Sequence, residues 1–178
     1  MKKVLLLIIF LFTHSAFAQE AKTSAFHRLL IFNMKNELMI VRVKNSDRWV
    51  TPGWYQDDRL TIKEGLSELV ASYGIKTTAP TLRGVFTLKA SQISTRLIYS
   101  AKLDGGEIKA PDIIEEIRWL PVEKALDVIT FPHIRTQIRQ ITEHPGTIWG
   151  GSQTMYQENG AYGSKIIENF YPLSSAAE

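Results

Sequence analysis

The segment Thr61–Gly74 constrains the fold most, because it reads as a helix with both ends specified. Thr61-Ile62-Lys63-Glu64 fits a capping box, in which the Thr61 hydroxyl and the Glu64 carboxylate satisfy open amides of the first turn. Ile62, Leu66, Leu69, Val70 and Tyr73 fall at i, i+4, i+7, i+8 and i+11, one apolar face of a helix. Gly74 stands where a C-terminal cap belongs. The spacing predicts a helix over about 62–73.

The flanking segments read as strands. Phe26–Phe32 and Leu38–Val43 are rich in β-formers and are separated by polar Asn33–Glu37, which predicts a β-hairpin. Trp49-Val50-Thr51 reads as a short strand stopped by Pro52-Gly53. After the helix come strand candidates at 81–88, 95–103 and 116–120, with Asp104-Gly105-Gly106 read as a turn. Val122–Val128 reads as a short helix or turn. Ile134, Ile138 and Ile141 lie at i, i+4 and i+7 and predict a last helix over 132–143, closed by Pro145-Gly146. The order β-β-β-α-β-β-β-α argues for an α+β chain, with helices packed on a mixed sheet. From 145 to 178 the composition turns to Gly and aromatics without a period; only Lys165–Phe170 reads as a short strand or helical turn.

Trp49-Val50-Thr51-Pro52-Gly53, Ser67-Glu68-Leu69 and Gly74-Ile75 together resemble a Nudix hydrolase. The family box begins with Gly, has Glu six residues on, then Arg-Glu, an aliphatic residue, a Glu pair and Gly-aliphatic. Laid without gaps from Gly53 to Ile75, it matches at Gly53, Glu68, Leu69, Gly74 and Ile75. Glu115-Glu116-Ile117-Arg118-Trp119 resembles the family's late strand, and the resemblance covers about residues 25–144. It implies an α/β/α sandwich with a mixed sheet between helices. The departures fall on the chemistry: Arg59 replaces the first box Glu, Ser67 the Arg, and Ala71 and Ser72 the Glu pair. Trp54 stands in place of a second Gly.

Nudix enzymes are known for cleaving diphosphates with Mg²⁺. Mg²⁺ takes hard oxygen ligands in near-octahedral geometry, and a single carboxylate rarely holds it tightly. Of the box carboxylates only Glu68 remains, and Arg59 puts a cation where an anion belongs. Two readings follow. In the first, Glu64 caps the helix, Glu68 is a solvated face residue, and the chain is a non-catalytic Nudix-fold module with no cofactor. It would bind a small molecule or an envelope protein through the old cleft or the aromatic tail. Candidate ligand contacts are Trp54 and Tyr55 beside the box Gly, with Arg42 and Arg59. In the second, Glu64 and Glu68, four apart on one helix face, join Glu115 or Glu116 in a rebuilt Mg²⁺ site of a divergent diphosphate hydrolase. Arg28, Arg42 and Arg48 near the box offer contacts for a phosphate, with plain surface charge as the simpler reading, and His27, His133 and His144 read as structural or surface residues without metal-ligand spacing.

The N-terminus predicts an address. Lys2 and Lys3 precede the apolar run Val4–Phe12, and Ala16-Phe17-Ala18 supplies small residues before Gln19, the layout of a cleavable signal peptide over residues 1–18. The run is too short to span a bilayer. The expectation is an exported, periplasmic or secreted protein without a membrane span. The chain has no Cys, so a lipoprotein is excluded and no disulfide contributes to stability. Loss of Lys2 and Lys3 lowers the formal charge from +3 to +1, which gives no general attraction for nucleic acid.

Overall fold

The computed structural model describes residues 23–175; the expected signal peptide lies outside them. Ten strands and three helices form an α+β sandwich around a mixed sheet. The strands are β1 (Ser24–Phe32), β2 (Leu38–Val43), β3 (Trp49–Val50), β4 (Gly53–Tyr55), β5 (Ile75–Thr77), β6 (Thr81–Lys89), β7 (Ile93–Gly106), β8 (Ile114–Leu120), β9 (Thr147–Glu158) and β10 (Ala161–Ser175). The helices are α1 (Ile62–Ser72), α2 (Val122–Val128) and α3 (Pro132–Glu143).

The main path of the sheet runs β10-β9-β6-β7-β1-β2-β3. The β1–β7 and β6–β9 pairs are parallel; the other pairs are antiparallel. Alternation along β1 sends successive side chains to opposite faces. Leu29 and Ile31 join the cluster under α1, with Leu66, Tyr73 and Tyr99. Leu30 joins the cluster under α2 and α3, with Phe86, Ile98, Leu126, Ile134 and Ile138. Each helix thus covers one face of the sheet with its apolar stripe.

The expected hairpin has both strands, but they part company almost at once. The only β1–β2 register pair is Phe32↔Leu38. β1 turns to β4 through Phe26↔Tyr55 and Arg28↔Gly53, while β2 pairs with β3 and β8. This division of the sheet opens a cavity lined by Arg28, Arg96 and His133.

Three segments differ from the sequence reading. Asp104-Gly105-Gly106 is no turn; it is the end of β7, where Gly105 and Gly106 pair with Lys76 and Ile75 of β5. The Gly pair lets the strand continue at positive φ, 133° and 96°, which a breaker reading of the sequence treats as a stop. β4 and β5, three residues each, are too short to carry a periodic signal. The aromatic tail, read as largely irregular, forms the long β9–β10 hairpin. Asn159 and Gly160, both at positive φ (49° and 81°), make its two-residue turn.

Candidate functional site

The box segment is built as its sequence specifies. Glu64 accepts hydrogen bonds from the Thr61 amide at 2.9 Å and the Thr61 hydroxyl at 2.8 Å, and its own amide donates to Thr61 Oγ1. These bonds hold the Glu64 carboxyl below its usual range, the Thr61 amide contributing most. The carboxylate is therefore engaged in capping α1. Glu68 is exposed one turn further along. Arg59 donates through Nε to Asp57 at 2.8 Å, and that bond is the main cause that raises its proton affinity; the charges of Glu68 and Asp58 add to it.

Glu115 and Glu116 lie on β8, across from β2, and both are held by Arg42. Arg42 Nη1 is 3.2 Å from Glu115, and Nη2 donates to Glu116 at 3.0 Å. Arg118 Nε donates to Glu116 at 2.6 Å, the leading cause that keeps this carboxyl low. The guanidiniums of Arg42 and Arg118 stand over the Trp49 ring at 5.8 and 4.5 Å. These acids are thus neutralised within their own cluster. Among the described residues no three His, Asp or Glu side chains come together to hold a metal ion. Of the carboxylates at the box positions Glu68 is the one that remains, exposed and near the Arg59 charge.

Trp54 stacks on His27, ring centroids 4.5 Å apart, and its indole fills the space beside Gly65, where any Cβ would collide with it. It closes α1 onto the sheet. His27 is fully buried and shares a 2.6 Å hydrogen bond with Gln56; burial lowers its proton affinity. Tyr55 is more than half exposed, packs edge-on against Phe26 and lines a cavity.

That cavity has a volume of about 310 Å³ and lies between the divided sheet and the start of α3. Arg28, Arg96 and His133 reach it from β1, β7 and α3, and Arg48 stands at its exposed side. No Asp or Glu lines it. Arg28 is 5 % exposed and donates to Thr51 Oγ1 at 2.7 Å. Arg28 and Arg96 each carry a guanidinium carbon 5.1 Å from the Phe26 ring centroid. Burial, and then the Arg96 charge, lower the Arg28 pKa to about 9. Burial, followed by Arg28 and Arg96, lowers that of His133 to about 3. His133 Nδ1 and Arg96 Nε are buried without a hydrogen-bond partner. The sequence offers Arg28 as a surface charge or a phosphate contact and His133 as a structural or surface residue, and gives no sign of Arg96. The available signal was parity: Arg28 shares a strand face with Phe26 and Leu30, two residues either side.

Neither a family model nor a curated protein matches the sequence. Solved structures do match. A MutT protein from Bacillus halodurans superposes with a TM-score of 0.66 at 14% identity, over 81% of this chain and 97% of the other. The chain has the Nudix-hydrolase fold. A MutT protein from Methanosarcina mazei Go1 (TM-score 0.58, 21% identity, 70% of this chain and 96% of that one) has the same architecture. So does a Nudix hydrolase from Nitrosomonas europaea (0.58, 13%, 68% and 90%). In this Nudix fold α1 is the box helix. The cationic cavity runs through the divided sheet: Phe131, His133 and Ile134 line it from the start of α3, and Val41, Ile114 and Tyr73, the residue that ends α1, line it from the other side.

Proposed function

We propose that this protein is an exported Nudix-fold binding module that has lost diphosphate hydrolysis. The observation that carries the reading is the fate of the carboxylates. Glu64 is engaged in the helix cap, Glu115 and Glu116 are held by Arg42 and Arg118, and Glu68 stands beside the cation Arg59. Hydrolysis through Mg²⁺ needs several hard oxygen ligands in one place. The divergent-hydrolase alternative needs Glu64 and Glu68 to meet Glu115 or Glu116, and that meeting is absent among the described residues. Export rests on the charged, apolar and small-residue sequence at 1–18. A small molecule is the favoured ligand, because the fold offers a half-open cavity with convergent polar groups.

The test is an assay of the purified protein with nucleoside triphosphates, ADP-ribose and UDP-sugars in Mg²⁺ and Mn²⁺. The expected result is release of phosphate or nucleotide no faster than in buffer. Turnover that disappears in Glu68→Gln restores the hydrolase reading. N-terminal sequencing of the protein from cells checks the address, with Gln19 expected first.

A further inference from the structure

We infer that the cavity between β1, β7 and the start of α3 binds a small organic oxyanion, a carboxylate or phosphate monoester carried on a compact apolar body. The inference deepens the proposed binding role and rests on it. Four observations carry it.

The first is uncompensated charge. The three cations Arg28, Arg48 and Arg96 line one cavity, beside a neutral His133 and with no acidic side chain among them. A guanidinium has five donors, and the side-chain bond of buried Arg28 goes to Thr51 alone. Burying an unpaired charge is among the costliest arrangements in a protein. The nearby acids Glu115 and Glu116 are already held by Arg42 and Arg118.

The second is the pair of orphaned atoms, His133 Nδ1 and Arg96 Nε. Buried polar atoms are nearly always partnered, and two exceptions facing one cavity call for a common partner such as a ligand, water or ion. His133 is 5 % exposed. The third is the start of α3. Its N-cap residue, Phe131, offers no side-chain hydrogen bond to the first-turn amides, and no acidic residue stands in that turn. Pro132 at the first position has no amide hydrogen and the Ile134 amide donates to the Phe131 carbonyl at 3.0 Å, so the helix adds only the positive end of its dipole beside the cationic side chains.

The fourth is the apolar wall. Phe26, Leu88, Phe131, Ile134 and Met155 face the same space. Free phosphate or sulfate would leave that wall unused, whereas an organic body with one oxyanion uses both parts. The volume of about 310 Å³ corresponds to roughly ten waters at about 30 Å³ each. A half-open space of that size receives the head and ring of a ligand on the order of an aromatic carboxylate or aryl phosphate.

The experiment is thermal unfolding of the purified protein with benzoate and with phenyl phosphate, against benzyl alcohol and sodium chloride at matched ionic strength. At about 100 times its Kd, a bound anion raises Tm by roughly 5–10 °C for a chain of this size. The neutral alcohol and chloride leave Tm unchanged. A response to one anion and not the other supports the site and names its preference. Arg28→Met abolishes the shift and melts no lower than the unsubstituted protein without ligand, since it no longer buries an unpaired charge. If Arg28→Met does not fold, Arg96→Gln provides the same reading, with the shift lost or binding weakened at least tenfold. The inference is overturned if neither anion shifts Tm, or if the variants respond as the unsubstituted protein does. Absence of anion binding in a protein that also fails to hydrolyse diphosphates removes this inference alone. Diphosphate hydrolysis removes the proposed function, whatever the cavity binds.

Discussion

His133 holds its proton poorly because it is buried first, and flanked by Arg28 and Arg96 second. This makes acid stability partly a property of one imidazole. The unfolded chain takes up the proton near pH 6.5 and the folded chain near pH 3. Between those values the unfolded state binds more protons, so stability falls as pH falls, by about 1.4 kcal/mol per unit. Between pH 7 and 5 the protein is expected to lose about 2 kcal/mol more than His133→Gln, a difference that urea titrations at the two pH values measure. Glu68, by contrast, is exposed. Glu68→Gln is expected to change stability by less than about 0.5 kcal/mol in the same assay. At this scale the sequence showed which acids the box lacks, since a missing Glu is visible by spacing. It did not show where the remaining acids go. Arg42 finds Glu115 and Glu116 only because β2 and β8 are paired side by side, and that pairing spans more than 70 residues of chain; Arg118 reaches Glu116 along β8 itself.

Among the elements, those with local signals were legible. α1 runs Ile62–Ser72, within a residue of its expected end, because its cap, apolar stripe and terminal Gly all act within a few residues of one another. Ile62 alone leaves the expected stripe, 40 % exposed in the first turn. Thr61→Ala removes half of the capping box and is expected to cost about 1 kcal/mol, measured by urea unfolding. α3 follows its Ile spacing from Pro132 to Glu143. The β9–β10 hairpin was missed although Asn159-Gly160 is the preferred pair for a two-residue turn. The flanking strands do not alternate cleanly, because bulges shift their register three times. Gly160 has open space around it but a φ of +81°, so Gly160→Ala is expected to cost about 1 kcal/mol through backbone strain alone.

On the scale of the whole molecule, the parallel pairings could not be read from local pattern. β1 meets β7, and β6 meets β9, across some 65 residues of intervening chain. Sequence analysis nevertheless arrived at the class and the layers, because the alternation of strands and two amphipathic helices leaves few ways to bury every apolar face. It set residues 145–178 apart, yet β9 continues the sheet beyond β6. Phe170 packs on Phe86 at 5.2 Å, and Gln153 exchanges hydrogen bonds with Gln137 and Thr136 of α3. Truncation after Gly146 is therefore expected to destroy cooperative unfolding, seen as a broad, early thermal transition. Such a truncation tests folding and not an interaction.

β10 forms one end of the sheet and bears Ile166, Ile167, Tyr171 and Leu173 at its surface. A straight outer strand of that composition would invite another chain to stack on it. This one is interrupted between Ile166 and Glu168, between Glu168 and Tyr171, and between Pro172 and Ser174. Each interruption re-aims the free amides, and Pro172 has none to offer. The irregular ladder that hid the strand from sequence reading is thus the same irregularity that discourages runaway, fibre-like growth from its rim.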